Sequence, residues 1–192
     1  MSNRQMECEY RLDRSLCRRY PAVHIGGLRV SIRHEVPART GAWQWALGLA
    51  SDGGLEVLGL WQGEGDELPQ RIAADLNARG VERIEVLLAD DGLSDSLARF
   101  RPRLICAVGE GALDAGGLAP HLPSAVLRTE AAAQWMQARL QRSVLRHGPF
   151  ESDAVAADFI AAALTRAERA LQGEVGRLQL RDVPAAELAV AV

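Results

Sequence analysis

The sequence predicts an α/β domain, a mixed five-stranded sheet with flanking helices, and three observations lead there. Apolar residues recur at strand spacing through residues 22–61, broken by glycine turns. Residues 83–89 carry Ile84, Val86, Leu87 and Leu88 with little polar alternation, the pattern of a central strand covered on both faces. Two long stretches after residue 124 show the helical periodicity of covering layers.

Each element follows from local chemistry. Residues 1–20 are polar and arginine-rich, a helical or flexible extension ahead of a core domain at 21–175 and a tail at 176–192. The first strand, 22–33, should point Val23, Ile25, Val30 and Ile32 inward. Pro37 and Gly41 turn the chain into a second strand at 43–50, where Trp43 and Trp45 share a face. Asp52-Gly53-Gly54 makes a hairpin turn, returning as a third strand at 55–61. Asp66 is expected to cap a helix with Leu68, Ile72 and Leu76 on one stripe, and Gly80 to close it. A fourth strand at 83–89, a short helix at 93–100 and a fifth strand at 103–108 follow. Residues 109–124 read as loop, 129–146 as a long helix stopped by Gly148-Pro149. Ser152 caps a last helix that should bury Val155, Phe159, Ala163, Ala167 and Leu171 and end near Gly173.

Composition excludes several classes. At 192 residues, 48% hydrophobic and 24% charged, the chain suits one substantial core rather than two, and a folded rather than a disordered state. A net charge of -3 gives no general basic balance, so nucleic-acid binding would rest on local positive charge. Cys8, Cys17 and Cys106 are odd in number and widely spaced, which fits neither a disulfide framework nor a zinc quartet. With no apolar signal core and no apolar run of membrane-helix length, a cytoplasmic protein is expected. Gly109-Glu110-Gly111 lacks a phosphate-loop lysine and the full dinucleotide glycine pattern.

The order β-β-β-α-β-α-β is that of the ribonuclease-H-like fold, and landmarks along the chain sharpen it. Tyr20-Pro21 precedes the first strand, Glu56-Val57-Leu58-Gly59-Leu60-Trp61 forms the third, and Leu76-Asn77-Ala78-Arg79-Gly80-Val81 ends the helix. Asp91-Gly92-Leu93 follows the fourth strand, and Gly148-Pro149-Phe150 with Ser152-Asp153-Ala154 comes late. In this order the landmarks resemble the catalytic core of bacterial mutator-type insertion-sequence transposases, members of the DDE superfamily.

That resemblance implies two aspartates and a glutamate holding paired divalent metals for phosphodiester attack. It places the first aspartate at Gly26, the second at Asp91, and the glutamate at Gln134, fourteen residues before Gly148. Glycine has no side chain and glutamine offers a neutral oxygen, whereas magnesium sites are built on carboxylates. Asp91 also reads as a cap on the helix opening at Leu93. The family's cysteine survives as Cys106, but the histidine and the arginine-asparagine pair that should follow it do not. The expectation is a degenerate, non-catalytic core without a cofactor. Magnesium enters only under an alternative, a nuclease with a carboxylate site rebuilt from Glu110, Asp114 or Glu130.

Arg139, Arg142 and Arg146, with His147 beside them, form the candidate nucleic-acid-binding line, because spacings of three and four share a helix face. A solvated helix face or ion pairs to a partner subunit explain the same spacing. Expected partners are a second copy or another protein, with DNA as a weak contact. A non-catalytic DNA-binding regulator is the remaining alternative, and no membrane role is expected.

Overall fold

The computed structural model describes residues 15–33, 39–89, 97–100, 102, 104–106 and 122–178. Its sheet is mixed, in the order β3-β2-β1-β4-β5. The strands are β1 (Arg19–Ile32), β2 (Arg39–Leu49), β3 (Leu55–Gln62), β4 (Arg83–Leu88) and β5 (Leu104–Cys106). The first four make the body of the sheet, and β5 adds three residues at one edge. β1 pairs antiparallel with β2 and parallel with β4, so it is the central rail of the domain.

Among the described residues three helices cover the sheet: α1 (Leu68–Ala78), α2 (Leu122–His147) and α3 (Asp153–Leu178). The core therefore divides into two layers. Ala22, Leu28, Val30 and Ile32 of β1 pack with α2 and α3, while Val23 and Ile25 pack with Leu68, Ile72 and Leu76 of α1. Val23, Ile25, Val30 and Ile32 are all buried as expected, but they enter two different layers. Side chains alternate across a strand, and both faces of this one are covered. Trp43 and Trp45 lie together under α2 and α3, as their two-residue spacing requires.

A register shift where Ala46 pairs with Gly59 but Leu47 pairs with Val57 leaves Leu58 as an extra residue in β3. This bulge lets Val57 and Leu60 face α2 and α3 while Leu58 and Trp61 face α1. Three side chains then occupy backbone groups of β3. Glu168 of α3 accepts the Val57 N–H at 3.0 Å, Arg79 donates to the Leu58 carbonyl, and Arg71 donates to the Gln62 carbonyl at 3.3 Å. Glu168 is buried, so its loss strands a buried N–H. Glu168→Leu is expected to lower unfolding free energy by about 1–3 kcal/mol. Glu168→Gln, which keeps an acceptor, should lose less in the same urea titration.

Several local expectations change. α1 is N-capped at Glu67 without a side-chain cap bond, so Asp66 is not its cap; Pro69 sits in the first turn, where no N–H is needed. Gly80, at φ +101°, closes α1 through the Val81 N–H to the Leu76 carbonyl at 3.0 Å. Gly41 belongs to β2 rather than to a turn. α2 begins at Leu122, not near 129, because Leu122, Ala125, Val126 and Thr129 extend its buried stripe. α3 runs through Gly173 to Leu178, and Val155 is exposed; its buried line passes instead through Ala156, Ile160, Ala163 and Ala167. Of the expected helix at 93–100, a 3-10 turn at Ala98–Phe100 falls within the described residues.

Between α2 and α3, Gly148 takes φ +78° and turns the chain so that Phe150 bridges to Ile32. The Phe150 N–H donates to the Ser31 carbonyl at 2.8 Å, pinning the helical hairpin to the end of β1. Ser152 caps α3 through the Val155 N–H at 3.3 Å. Arg39 pairs with Asp153 across the same corner.

Candidate functional site

From Ala22 onward the even-numbered residues of β1 lie on the α2 side, which places His24 and Gly26 beneath that helix. A cavity of about 310 Å³ opens there, lined by His24, Gly26, Gly27, Gln134, Gln137 and Gln141 among others. Gly26 and Gln134, taken from sequence as counterparts of catalytic acids, thus line the same cavity. Among the described residues its lining contains no carboxylate. Asp91, Glu110 and Asp114 lie outside the described residues. Glu130 stands one turn back on α2, accepting a hydrogen bond from Gln134 at 3.5 Å. An adjoining cavity shares Gly27, Gln137 and Gln141, and its Glu64 is paired with Arg29 at 2.7 Å.

Gly26 faces Trp45 across the β1–β2 ladder. A Cβ at position 26 would meet the indole Cζ2 at 2.8 Å and Cε2 at 2.9 Å. Trp45 is fully buried, so its ring has no solvent side to retreat to. Its Nε1 donates to Gln137 Oε1 at 3.0 Å, and Gln137 Nε2 donates to the Gly27 carbonyl at 2.8 Å. The indole therefore fills the space over the glycine, and a carboxamide ties it to both α2 and β1. The described lining does not fit a pair of divalent cations, since its side-chain donors are neutral amides and one imidazole.

His24, only 5% exposed, lies 5.6 Å from the Trp45 ring, and its Nδ1 has no hydrogen-bond partner. Burial lowers its pKa from 6.5 to about 4. The fold thus favours neutral imidazole, and the unfolded chain takes up the proton first. The stabilising contribution is complete above pH 6.5 and is lost as pH falls toward about 4. Within that window, stability is expected to drop by roughly 1.4 kcal/mol per pH unit from this group. Urea melts of the wild type and His24→Leu at pH 7.5 and 5 check this: the variant should lose that part of the slope.

The arginine line takes a different surface of α2. Arg139, Arg142 and Arg146 line a second cavity of about 310 Å³ with Leu140 and Ser143 of α2 and Ala163 and Arg166 of α3. His147 is not in this lining; its ring stacks on Phe150 at 4.2 Å and also meets Phe159 at 4.6 Å. Sequence reasoning missed Trp45, Gln137, Gln141 and Arg166 as site residues. Gln137 and Gln141 follow Gln134 at helical spacings of three and seven, a signal within reach. Arg166 arrives from another helix, and local spacing carries no trace of it. Among the described residues no three histidine, cysteine or carboxylate side chains gather as a metal-holding cluster. No helix among them is long and apolar enough to cross a membrane.

The family model described as Transposase, Mutator family, matches residues 5–106. The chain is 36% identical over 90 residues to a probable transposase for insertion sequence element ISRM3-like from Sinorhizobium fredii (strain NBRC 101917 / NGR234). It is 34% identical over 90 residues to the transposase for insertion sequence element ISRM3 from Rhizobium meliloti (strain 1021). Each match takes in 45% of this chain and 22% of the relative, so the similarity spans about a fifth of those proteins. The family match includes Gly26, whereas Gln134 and the arginines lie beyond it.

Proposed function

The chain belongs to the Mutator family of transposases, and from that premise we propose that it is a catalytically inactive core that works by binding. The observation that carries this reading is Trp45 packed onto Gly26. The position assigned to the first acid lacks a carboxylate, and the space where one would start is filled by a buried ring tied to Gln137. Gln134 adds a second neutral group to the same cavity. The indole over Gly26 is held in place by its hydrogen bond to Gln137, which supports a site that works without an acid there.

The sheet order, with an antiparallel β3-β2-β1 meander and parallel β4 and β5, supports a ribonuclease-H-like reading of the fold. Such a core keeps its buried layers and hairpins while no longer needing clustered negative charge beneath α2. Its action would run through a protein partner, including a second copy, or through weak DNA contact.

The test is incubation of the protein with linear and nicked duplex DNA in Mg²⁺ or Mn²⁺. No cleavage above a metal-free control is expected. Metal-dependent cleavage that disappears in Asp91→Ala would overturn the reading and establish the rebuilt-nuclease alternative.

A further inference from the structure

We infer that the cavity between α2 and α3 is a phosphate-binding site, with Arg139, Arg142, Arg146 and Arg166 as its cationic wall. The inference is separate from the inactive-core reading, because these residues occupy a different face of α2 from Gln134, Gln137 and Gln141.

Four guanidinium groups from two helices border one concavity of about 310 Å³. Ion pairs among the described residues engage Arg18, Arg29, Arg39, Arg79 and Arg83, and none engages these four. A chain of net charge -3 thus leaves a local concentration of positive charge with no carboxylate partner among the described residues there. Ordinary surface arginines alternate with acids or point apart, and such a concentration favours an anion.

Side-chain positions are partly organised in advance. Arg142 Nε donates to the Ala138 carbonyl at 3.1 Å, and Arg146 Nε donates to the Arg142 carbonyl at 3.3 Å. Arg139 lies over the Trp135 ring, its guanidinium carbon 5.3 Å from the centroid. Ser143 Oγ donates to the Arg139 carbonyl at 2.9 Å, holding its hydroxyl against α2. Alanine at 163 gives the α3 wall a small side chain next to Arg166.

This geometry selects phosphate over a lone carboxylate. One guanidinium satisfies the two coplanar oxygens of a carboxylate in a bidentate pair. A tetrahedral phosphate offers oxygens in several directions and so engages arginines from two helices together. The phosphate comes either from a free polyphosphate or from a nucleic-acid backbone, and the same arginines serve both.

Calorimetric titration of the intact chain with pyrophosphate, with a 12-base-pair duplex, and with a glutamate-rich peptide tests the site. Pyrophosphate or duplex should bind, and Arg142→Gln/Arg166→Gln should weaken that binding about tenfold or more. Arg29→Gln, on the other cavity, should leave it unchanged. Binding of duplex alone assigns a backbone phosphate; binding of pyrophosphate alone assigns a free phosphate compound; either supports the site. All four residues are exposed, so circular dichroism should show the variants folded. Absence of both phosphate titrations in the folded wild type, binding unaffected by the double variant, or arginine-dependent binding confined to the peptide overturns the inference.

Discussion

Gly26→Asp is expected to cost about 3 kcal/mol of folding stability through overpacking and to confer no magnesium-dependent cleavage. Its Cβ alone approaches the indole carbons of Trp45 at 2.8 and 2.9 Å, before any carboxylate is added. Gly26→Ala separates the terms: it has the same Cβ and no charge, so it should carry most of the loss. The double variant Gly26→Asp/Gln134→Glu restores the implied acids in name, yet meets the same ring. Guanidinium denaturation supplies the stability, and Mg²⁺ titration with a DNA substrate supplies the activity. A fully stable Gly26→Asp protein would contradict the packing described over that glycine.

Trp45→Ala is expected to lose about 3–5 kcal/mol, the range for removing a fully buried large aromatic side chain. Its loss also removes the donor to Gln137 and opens the space above Gly26. The two sites should therefore be strongly non-additive. In the Trp45→Ala background, Gly26→Asp should cost less than it does alone, with a coupling of roughly 1–3 kcal/mol in a double-mutant cycle. Strict additivity would mean that the ring is not what bars a side chain at 26.

Much of this architecture was legible in sequence because it depends on short-range rules. Glycine turns, the two-residue period of Trp43 and Trp45, and the Leu68, Ile72 and Leu76 stripe are local, and the structure keeps them. The division of β1 into two covered faces was not legible, since an apolar residue reads alike whichever layer it enters. The start of α2 was hidden by glycine and proline just before it, although Leu122 and Val126 belong to its buried stripe. At the site, the resemblance assigned Gly26 and Gln134, while nothing local in the sequence indicated the Trp45 ring packed on Gly26. Its position requires the β1–β2 register, which pairs residue 26 with residue 45. The arginine spacing located three members of the second cavity, while Arg166 required the packing of α3 on α2.

The side chains of Glu168, Arg79 and Arg71 on β3 have a consequence for assembly. A newcomer strand arriving at that border would have to displace groups held from both helical layers before forming its first rung. Polymerisation by ribbon addition is thereby blocked on this side. Two copies that meet there would do so through side chains rather than through a shared ladder.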